Sequence, residues 1–358
     1  MTISQHKSDN IFTATPYDPE LAKYGDIKID PEPNNNYEEK RKFSLPWKKY
    51  STATTAYSTT SEPEEPRRSL KQRIQYKVLG HIQVKNQYVR EFLAEFIAMF
   101  FFLLIGTSAN VQARKAFGGM TNPNTTNISF AWGFGFMFAV YLAASISGAH
   151  LNPAITFCSW VLGDLPLIKV FTYSFAQLLG AFCGSGISFI GHLDDINKIG
   201  NNEFVVYGVN ATAGLFTTYA ADHVSTVGAF FDQLIGTSIL SGCITLITDK
   251  RLKIPPCLVP ILAGLLMTMI ALSYGANAGF ANNPARDLGP RLFTLAVGYG
   301  TDTFTYKNYY FWIPLIAPFP GAIIGCLVYK LFVGLHGGEV SMDMNLNIVT
   351  EKESVKNR

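Results

Sequence analysis

The feature that most limits this chain is a stretch of 244 residues, 92–335, that holds only 21 of its 55 charged side chains. A water-soluble surface of that extent would carry charge at roughly a quarter of its positions. Within the stretch lie apolar runs of roughly 18–22 residues, the length that crosses the hydrocarbon core of a bilayer. These two facts exclude a soluble enzyme. The remaining charge is at the ends, with 27 charged residues in 1–91 and 7 in 336–358. The net charge of +3 is too small and too dispersed to imply nucleic acid as a partner.

The apolar runs predict an all-α integral membrane protein with six transmembrane helices, at about 91–109, 128–147, 168–190, 227–248, 255–274 and 310–333. Residues 1–87 read as a hydrophilic, largely disordered tail. They are rich in Asn, Pro, Ser and Thr, and bury too little apolar surface to offset ordering entropy. Its last part, 67–90, has seven basic residues and no acidic one. Such a juxtamembrane segment places the N-terminus in the cytoplasm, and six crossings return the tail 336–358 to the same side. The net basic run Asp249–Lys253 between spans four and five agrees. So does the acidic connection 191–226 with its sequon Asn210-Ala211-Thr212, which reads as an external loop; Arg114 and Lys115 disagree mildly. Arg41-Lys42-Phe43-Ser44 fits a basophilic kinase pattern that would regulate from the tail. The five cysteines are odd in number, without a CxxC pair, and read as reduced packing residues.

Two connections do not read as simple loops. SGAHLNPAITFCSWVLG (147–163) and GFANNPARDLGPRLF (279–293) each present Asn-Pro-Ala ahead of an apolar stretch too short to cross. Pro at the first helical position behind an Asn N-cap is a helix-start signal. Each connection therefore reads as a re-entrant segment ending in a half-helix. The halves repeat. Glu95 is set against Asp232, Asn152-Pro153-Ala154 against Asn283-Pro284-Ala285, and Gly180-Ala181-x-x-Gly184 against Gly321-Ala322-x-x-Gly325. Three crossings per unit invert the second unit relative to the first, and broken helices at matching places point to a pathway near the midplane.

Half-helices entering from opposite faces meet with their positive N-terminal ends at the membrane centre. Asn152 and Asn283 would cap them through the side-chain oxygen and turn their NH2 donors into a lumen. A permeant oxygen is then held from both sides, while a cation meets positive potential.

On these motifs the sequence resembles the major intrinsic protein family, the aquaporins and aquaglyceroporins, over about residues 88–335, and its long N-terminal tail is similar to those of fungal members. The resemblance implies a passive channel domain, not an enzyme, without cofactor or metal, assembled as a homotetramer in a lipid bilayer, with the plasma membrane as the expected location. It implies a selectivity filter of Trp132, Ala271, Phe280 and Arg286. Trp132 and Phe280 would form an apolar corner opposite the donors of Arg286, which suits glycerol with accompanying water. Ala271 stands where a strict water channel commonly has His. Tyr219, Asp287, Arg291, Pro314 and Leu315 resemble markers of the glycerol-conducting branch. In the family the acids matching Glu95 and Asp232 accept hydrogen bonds from the re-entrant loops, which implies a supporting role here. His150 reads as a packing histidine, and the glycines 133, 135, 180, 184 and 236 as close helix packing. A water, urea or metalloid-acid channel, and a proton-coupled polyol transporter using Glu95 and Asp232, remain open on the residues alone.

Overall fold

The computed structural model describes residues 69, 71, 79, 80, 82–116 and 125–337. Almost all of both expected tails, including Ser44, falls outside the described residues. The helices run α1 Gln87–Ala116, α2 Thr125–Ala143, α3 Pro153–Val161, α4 Leu167–Gly191, α5 Leu193–Gly200, α6 Thr226–Ile247, α7 Val259–Ala278, α8 Pro284–Thr294, α9 Asp302–Tyr309, α10 Trp312–Ile316 and α11 Pro318–Phe332. Among the described residues there is no β-strand.

Five of these helices, α1, α2, α4, α6 and α7, and the helical stretch Pro318–His336 that contains α11 are long and apolar enough to cross a membrane. The chain is a multi-pass integral membrane protein. Its large apolar side chains face outward as readily as inward: Phe130, Phe134 and Phe138 of α2 and Phe171 and Phe175 of α4 are all exposed. Lipid makes no demand for a polar exterior, so the polar groups collect inside instead.

The boundaries shift from the sequence reading where proline intervenes. Span five begins at Val259 rather than near 255, because Pro255 and Pro256 lack the N–H groups a helix interior needs, and it continues to Ala278. Span six is two pieces, α10 and α11, separated at Ala317, where Pro318 has no N–H to offer the Pro314 carbonyl. The connection 191–226 is not merely an external loop. It contains α5, and Ile196, Val206, Ala213, Leu215 and Phe216 bury against Val111, Phe189, Phe293 and Tyr299. Asn210 of the sequon is exposed, while the Thr212 hydroxyl is buried against Tyr299 Oη at 2.8 Å. Arg114 reaches across to the Val209 carbonyl at 3.2 Å.

The two halves pack in the same way, and glycine makes it possible. α1 lies on α4, and α6 lies on α11. A Cβ added at Gly180 would meet the Phe96 carbonyl oxygen at 2.4 Å, and one at Gly184 would meet that of Phe100 at 2.3 Å. In the second half Gly321 lies against Leu234 O and Gly325 against Ser238 O, with the same four-residue step. α2 and α7 cross as closely, with Gly133 facing Thr268 and Gly264 facing Met137.

This packing fixes the register between the repeats. Phe96 corresponds to Leu234 and Phe100 to Ser238, so the partner of Glu95 is Gln233. The sequence comparison of Glu95 with Asp232 was one residue out of register.

Candidate functional site

The two half-helices start as the sequence motifs require. Asn152 and Asn283 are extended (φ −157° at both), and each caps its helix through Oδ1. Asn152 Oδ1 accepts from Ala154 N at 2.9 Å; Asn283 Oδ1 accepts from Ala285 N at 3.0 Å and Arg286 N at 3.2 Å. Pro153 and Pro284 occupy the first turn, where no N–H is missed. Ala154 and Ala285 are buried beside them.

The amide groups of the two asparagines do more than face a lumen. Asn152 Nδ2 donates to Asn282 O at 2.8 Å, and Asn283 Nδ2 donates to Leu151 O at 2.6 Å. Each repeat thus clasps the loop of the other, and one hydrogen of each NH2 is spent on the clasp. That leaves one donor per asparagine for a permeant, half of what the sequence reading assumed.

Ahead of each asparagine the backbone bends in the same strained way. Positive φ occurs at Gly148 (88°), Ala149 (55°) and Leu151 (52°), and in matching order at Gly279 (76°), Phe280 (40°) and Asn282 (47°). A non-glycine residue pays about 1–2 kcal/mol for this conformation, so the surroundings must hold it. Among the described residues, no group donates to the carbonyl oxygens of Gly148–His150 or of Gly279–Ala281. The bend therefore presents two short rows of unoccupied acceptors leading to the paired asparagine donors.

Different groups hold the two loops. Glu95, fully buried, accepts from His150 N at 2.9 Å, Leu151 N at 2.8 Å, Ser147 Oγ at 2.5 Å and Gln177 Nε2 at 2.8 Å. In the second half Gln233 Oε1 accepts from Asn282 N at 2.8 Å, and its Nε2 donates to Ala278 O at 3.2 Å. Asp232 does not receive the loop backbone. Its carboxylate accepts from Asn277 Nδ2 at 3.0 Å and Gln233 Nε2 at 3.3 Å, so it orients the glutamine and the end of α7. The physical reason is the register: position 232 lies about 100° around the helix from position 233. Sequence reasoning passed over Gln177 and Gln233 because a neutral amide in a membrane helix attracts less notice than an acid.

Arg286, three residues beyond Asn283, is 3% exposed. Its guanidinium carbon lies 4.2 Å from the Trp132 ring centroid and 5.9 Å from that of Phe280. Nη1 donates to Phe216 O at 3.3 Å, while Nε is buried with no partner. Trp132 and Phe280 meet edge to face at 5.9 Å, and Ala271 joins the same buried cluster. The expected gap between an apolar corner and the arginine donors is therefore filled by the guanidinium itself, laid on the indole. The indole is fixed from behind. Its Nε1 donates to Asn110 Oδ1 at 3.2 Å, Phe102 packs against it at 5.0 Å, and Gly106 backs it so closely that a Cβ there would fall 2.5 Å from three ring atoms.

Tyr219, Asp287 and Arg291 form one network around the filter. Asp287 Oδ1 accepts from Thr218 N at 2.9 Å and Thr218 Oγ1 at 2.6 Å, and Oδ2 accepts from Arg291 Nε at 2.5 Å. Arg291 donates onward to Thr303 O at 2.6 Å and to Thr218 O, with Tyr219 lying 4.7 Å from its guanidinium carbon. This buried pair pins the segment whose Phe216 carbonyl holds Arg286. Pro314 is buried and Leu315 half-buried in α10, away from the filter contacts named here. His150 packs edge to face on Tyr173 at 5.3 Å, with Nδ1 buried and unpartnered. Outside the spans, Arg251 donates to Asp249 and to the Gly334 and Gly337 carbonyls at 2.6 and 3.0 Å. The hydrogen bonds from Arg251 hold the Asp249 carboxyl well below the usual carboxylate range, against the opposing effect of burial.

Two inverted three-span halves, closed by crossed half-helices at the centre of the bundle, define a membrane channel. The chain matches the model of the family described as "Major intrinsic protein" over residues 82–329. It belongs to that family. Human aquaporin-10 is 37% identical over 272 residues, 75% of this chain and 90% of that protein. Aquaglyceroporin-2 of Rhizophagus irregularis is 38% identical over 278 residues, 77% and 86% of the two chains. Among solved structures, the aquaglyceroporin from Plasmodium falciparum superimposes with a TM-score of 0.61 at 32% identity, covering 69% of this chain and 97% of that one.

Proposed function

We propose that this chain is a passive channel for glycerol and other small uncharged polyols, with accompanying water permeability. The observation that carries the reading is the filter: the Trp132–Phe280 edge-to-face pair beside the free Nε donor of Arg286, with Ala271 rather than a ring on α7. A polyol has an apolar CH side for the aromatic pair and hydroxyls for the guanidinium. A cation–π contact of this kind is worth about 0.5–2 kcal/mol. Thermal motion lifts the guanidinium from the indole, and a hydroxylated solute replaces the contact. The fixed charge of Arg286 and the two helix N-termini oppose cations throughout.

A proton-coupled mechanism is disfavoured by Glu95, whose two oxygens already accept from four donors within the fold. The relative called aquaglyceroporin-2 and the solved aquaglyceroporin support the polyol reading. By the same resemblance the channel is a homotetramer with one pore per subunit, in the plasma membrane. The basic residues of 67–90 and Lys250–Lys253 favour cytoplasmic termini. The channel domain is residues 88–335, with tails 1–87 and 336–358 outside it.

The test is stopped-flow light scattering of proteoliposomes under water and glycerol gradients. Glycerol flux that equilibrates without accumulation is expected. Water flux without glycerol flux, or accumulation against a gradient abolished by an uncoupler, would overturn the proposal. Trp132→Phe with Ala271→His is expected to shift preference toward water.

A further inference from the structure

Away from the filter, the seam between α3, α6 and α11 holds a cavity of about 270 Å³, reaching the membrane face at which α1 begins. Its lining includes Cys158 of α3, Ser241 and Thr245 of α6, and Cys326 of α11. Cys158 and Cys326 belong to one small buried cluster with Ala154 and Ala322. Cys158 Sγ donates to the Ala322 carbonyl at 3.5 Å, one helical turn before Cys326, and Thr245 Oγ1 donates to Cys326 Sγ at 3.3 Å. Both thiols border the same cavity. Both are free.

The inverted repeat supplies the comparison. In the packing register, the counterpart of Cys158 is Gly289 and that of Cys326 is Ser185. The counterparts of Leu162 and Lys330, which also line the cavity, are Phe293 and Phe189. On that other side the two phenylalanines pack at 5.5 Å, Phe182 adds a third ring at 5.7 Å from Phe293, and Gly186 lies against Phe293. One seam is thus plugged by aromatic rings, while its counterpart is left open and walled by a thiol pair. Packing alone explains a small residue at each position; it does not explain two sulfurs in one buried cluster at the wall of an open cavity.

We propose that Cys158 and Cys326 form a dithiol site for a soft electrophile that bonds two sulfurs at once, of the class of trivalent arsenicals. With an arylarsine oxide the two S–H bonds and the As=O bond break, two As–S bonds form, and the two protons leave with the oxygen as one water. No oxidant or reductant is needed. The product bridges α3, which Asn152 caps, to α11. Cys183 and Cys243 lie outside this cavity lining and Cys257 is exposed, so none of them offers a second sulfur at this place.

The probe is phenylarsine oxide on the purified full-length protein, read by intact mass and by count of remaining thiols. One adduct per chain with loss of two thiols is expected. It should be removed by a dithiol such as 2,3-dimercaptopropanol and resist an excess of 2-mercaptoethanol. Cys158→Ser and Cys326→Ser are each expected to lose the adduct while keeping the wild-type unfolding temperature within a few degrees. Where either serine variant fails to fold, Cys158→Ala or Cys326→Ala replaces it. The triple variant Cys183→Ser, Cys243→Ser, Cys257→Ser is expected to retain the adduct in full. Survival of the adduct in both single variants, its loss in the triple variant, or its removal by the monothiol would overturn the assignment.

Discussion

Gly106 offers the sharpest test of how the filter is held. The Trp132 indole is fully buried, with Gly106 behind it and the Arg286 guanidinium over it at 4.2 Å. A methyl group at position 106 would sit 2.5 Å from ring atoms Cδ2, Cε2 and Cε3. Carbon pairs settle near 3.5–4.0 Å, so the ring must move by about 1 Å. α1 is backbone and cannot retreat, because Gly180 and Gly184 of α4 already press on it. The indole therefore moves toward Arg286 and Phe280, stretching its 3.2 Å bond to Asn110. Overpacking of this kind costs about 1–3 kcal/mol. If about 1.4 kcal/mol of that falls on the passage of a solute that must part the two groups, flux drops about tenfold. Gly106→Ala is thus expected to lower glycerol permeability about tenfold in proteoliposomes and to lower water permeability less, because water needs a smaller opening. Gly135→Ala is the control: its Cβ would meet Ile105 side-chain atoms at 3.3 Å and the Phe102 carbonyl oxygen at an ordinary 3.7 Å, and flux should stay within about twofold. Unchanged glycerol flux in a folded Gly106→Ala protein would refute the idea that the indole's position sets the aperture.

Further outcomes follow from the loops and the cavity rim. Glu95→Gln turns an NH2 donor toward backbone N–H groups that need an acceptor; with about 1–3 kcal/mol per orphaned donor, loss of flux and a lower unfolding temperature in detergent are expected. Gln233→Ala leaves the Asn282 N–H buried and unpaired, so it should lower the unfolding temperature more than Asp232→Asn; the reverse order would restore the acid as the loop's anchor. Asp249 has a depressed folded-state pKa, so its ion pair with Arg251 contributes fully above the unfolded value of about 4 and is lost as pH falls through the lower folded value. Hydrogen exchange around 249–253 and 334–337 should therefore accelerate on acidification below about pH 4, and in Asp249→Asn that region should exchange fast already at neutral pH.

Several parts of this protein were written in local sequence. The six spans follow from apolar length, since the bilayer leaves a helix no other way to satisfy its backbone. The half-helix starts follow from Asn-Pro, because capping involves residues two or three apart. Arg286 reaches the filter because it lies three residues, one turn, from the cap. The break in span six also had its cause in plain view, in Pro314 and Pro318, although an apolar window does not register it.

Tertiary structure alone decided the rest. That Gln233 and not Asp232 answers to Glu95 depends on which carbonyls Gly321 and Gly325 press against, a contact between residues more than 80 positions apart. The cross-clasp of Asn152 and Asn283 spans 130 residues of chain, and it consumes donors that the motif by itself leaves free. The contact of Arg286 with Trp132, the carbonyl of Phe216 that holds it, and the thiol pair at the α3–α11 seam are likewise through-space facts. A sequence records what each residue prefers within a turn or two. Which groups meet is set by how closely the helices pack, and here glycine against backbone carbonyl sets that distance.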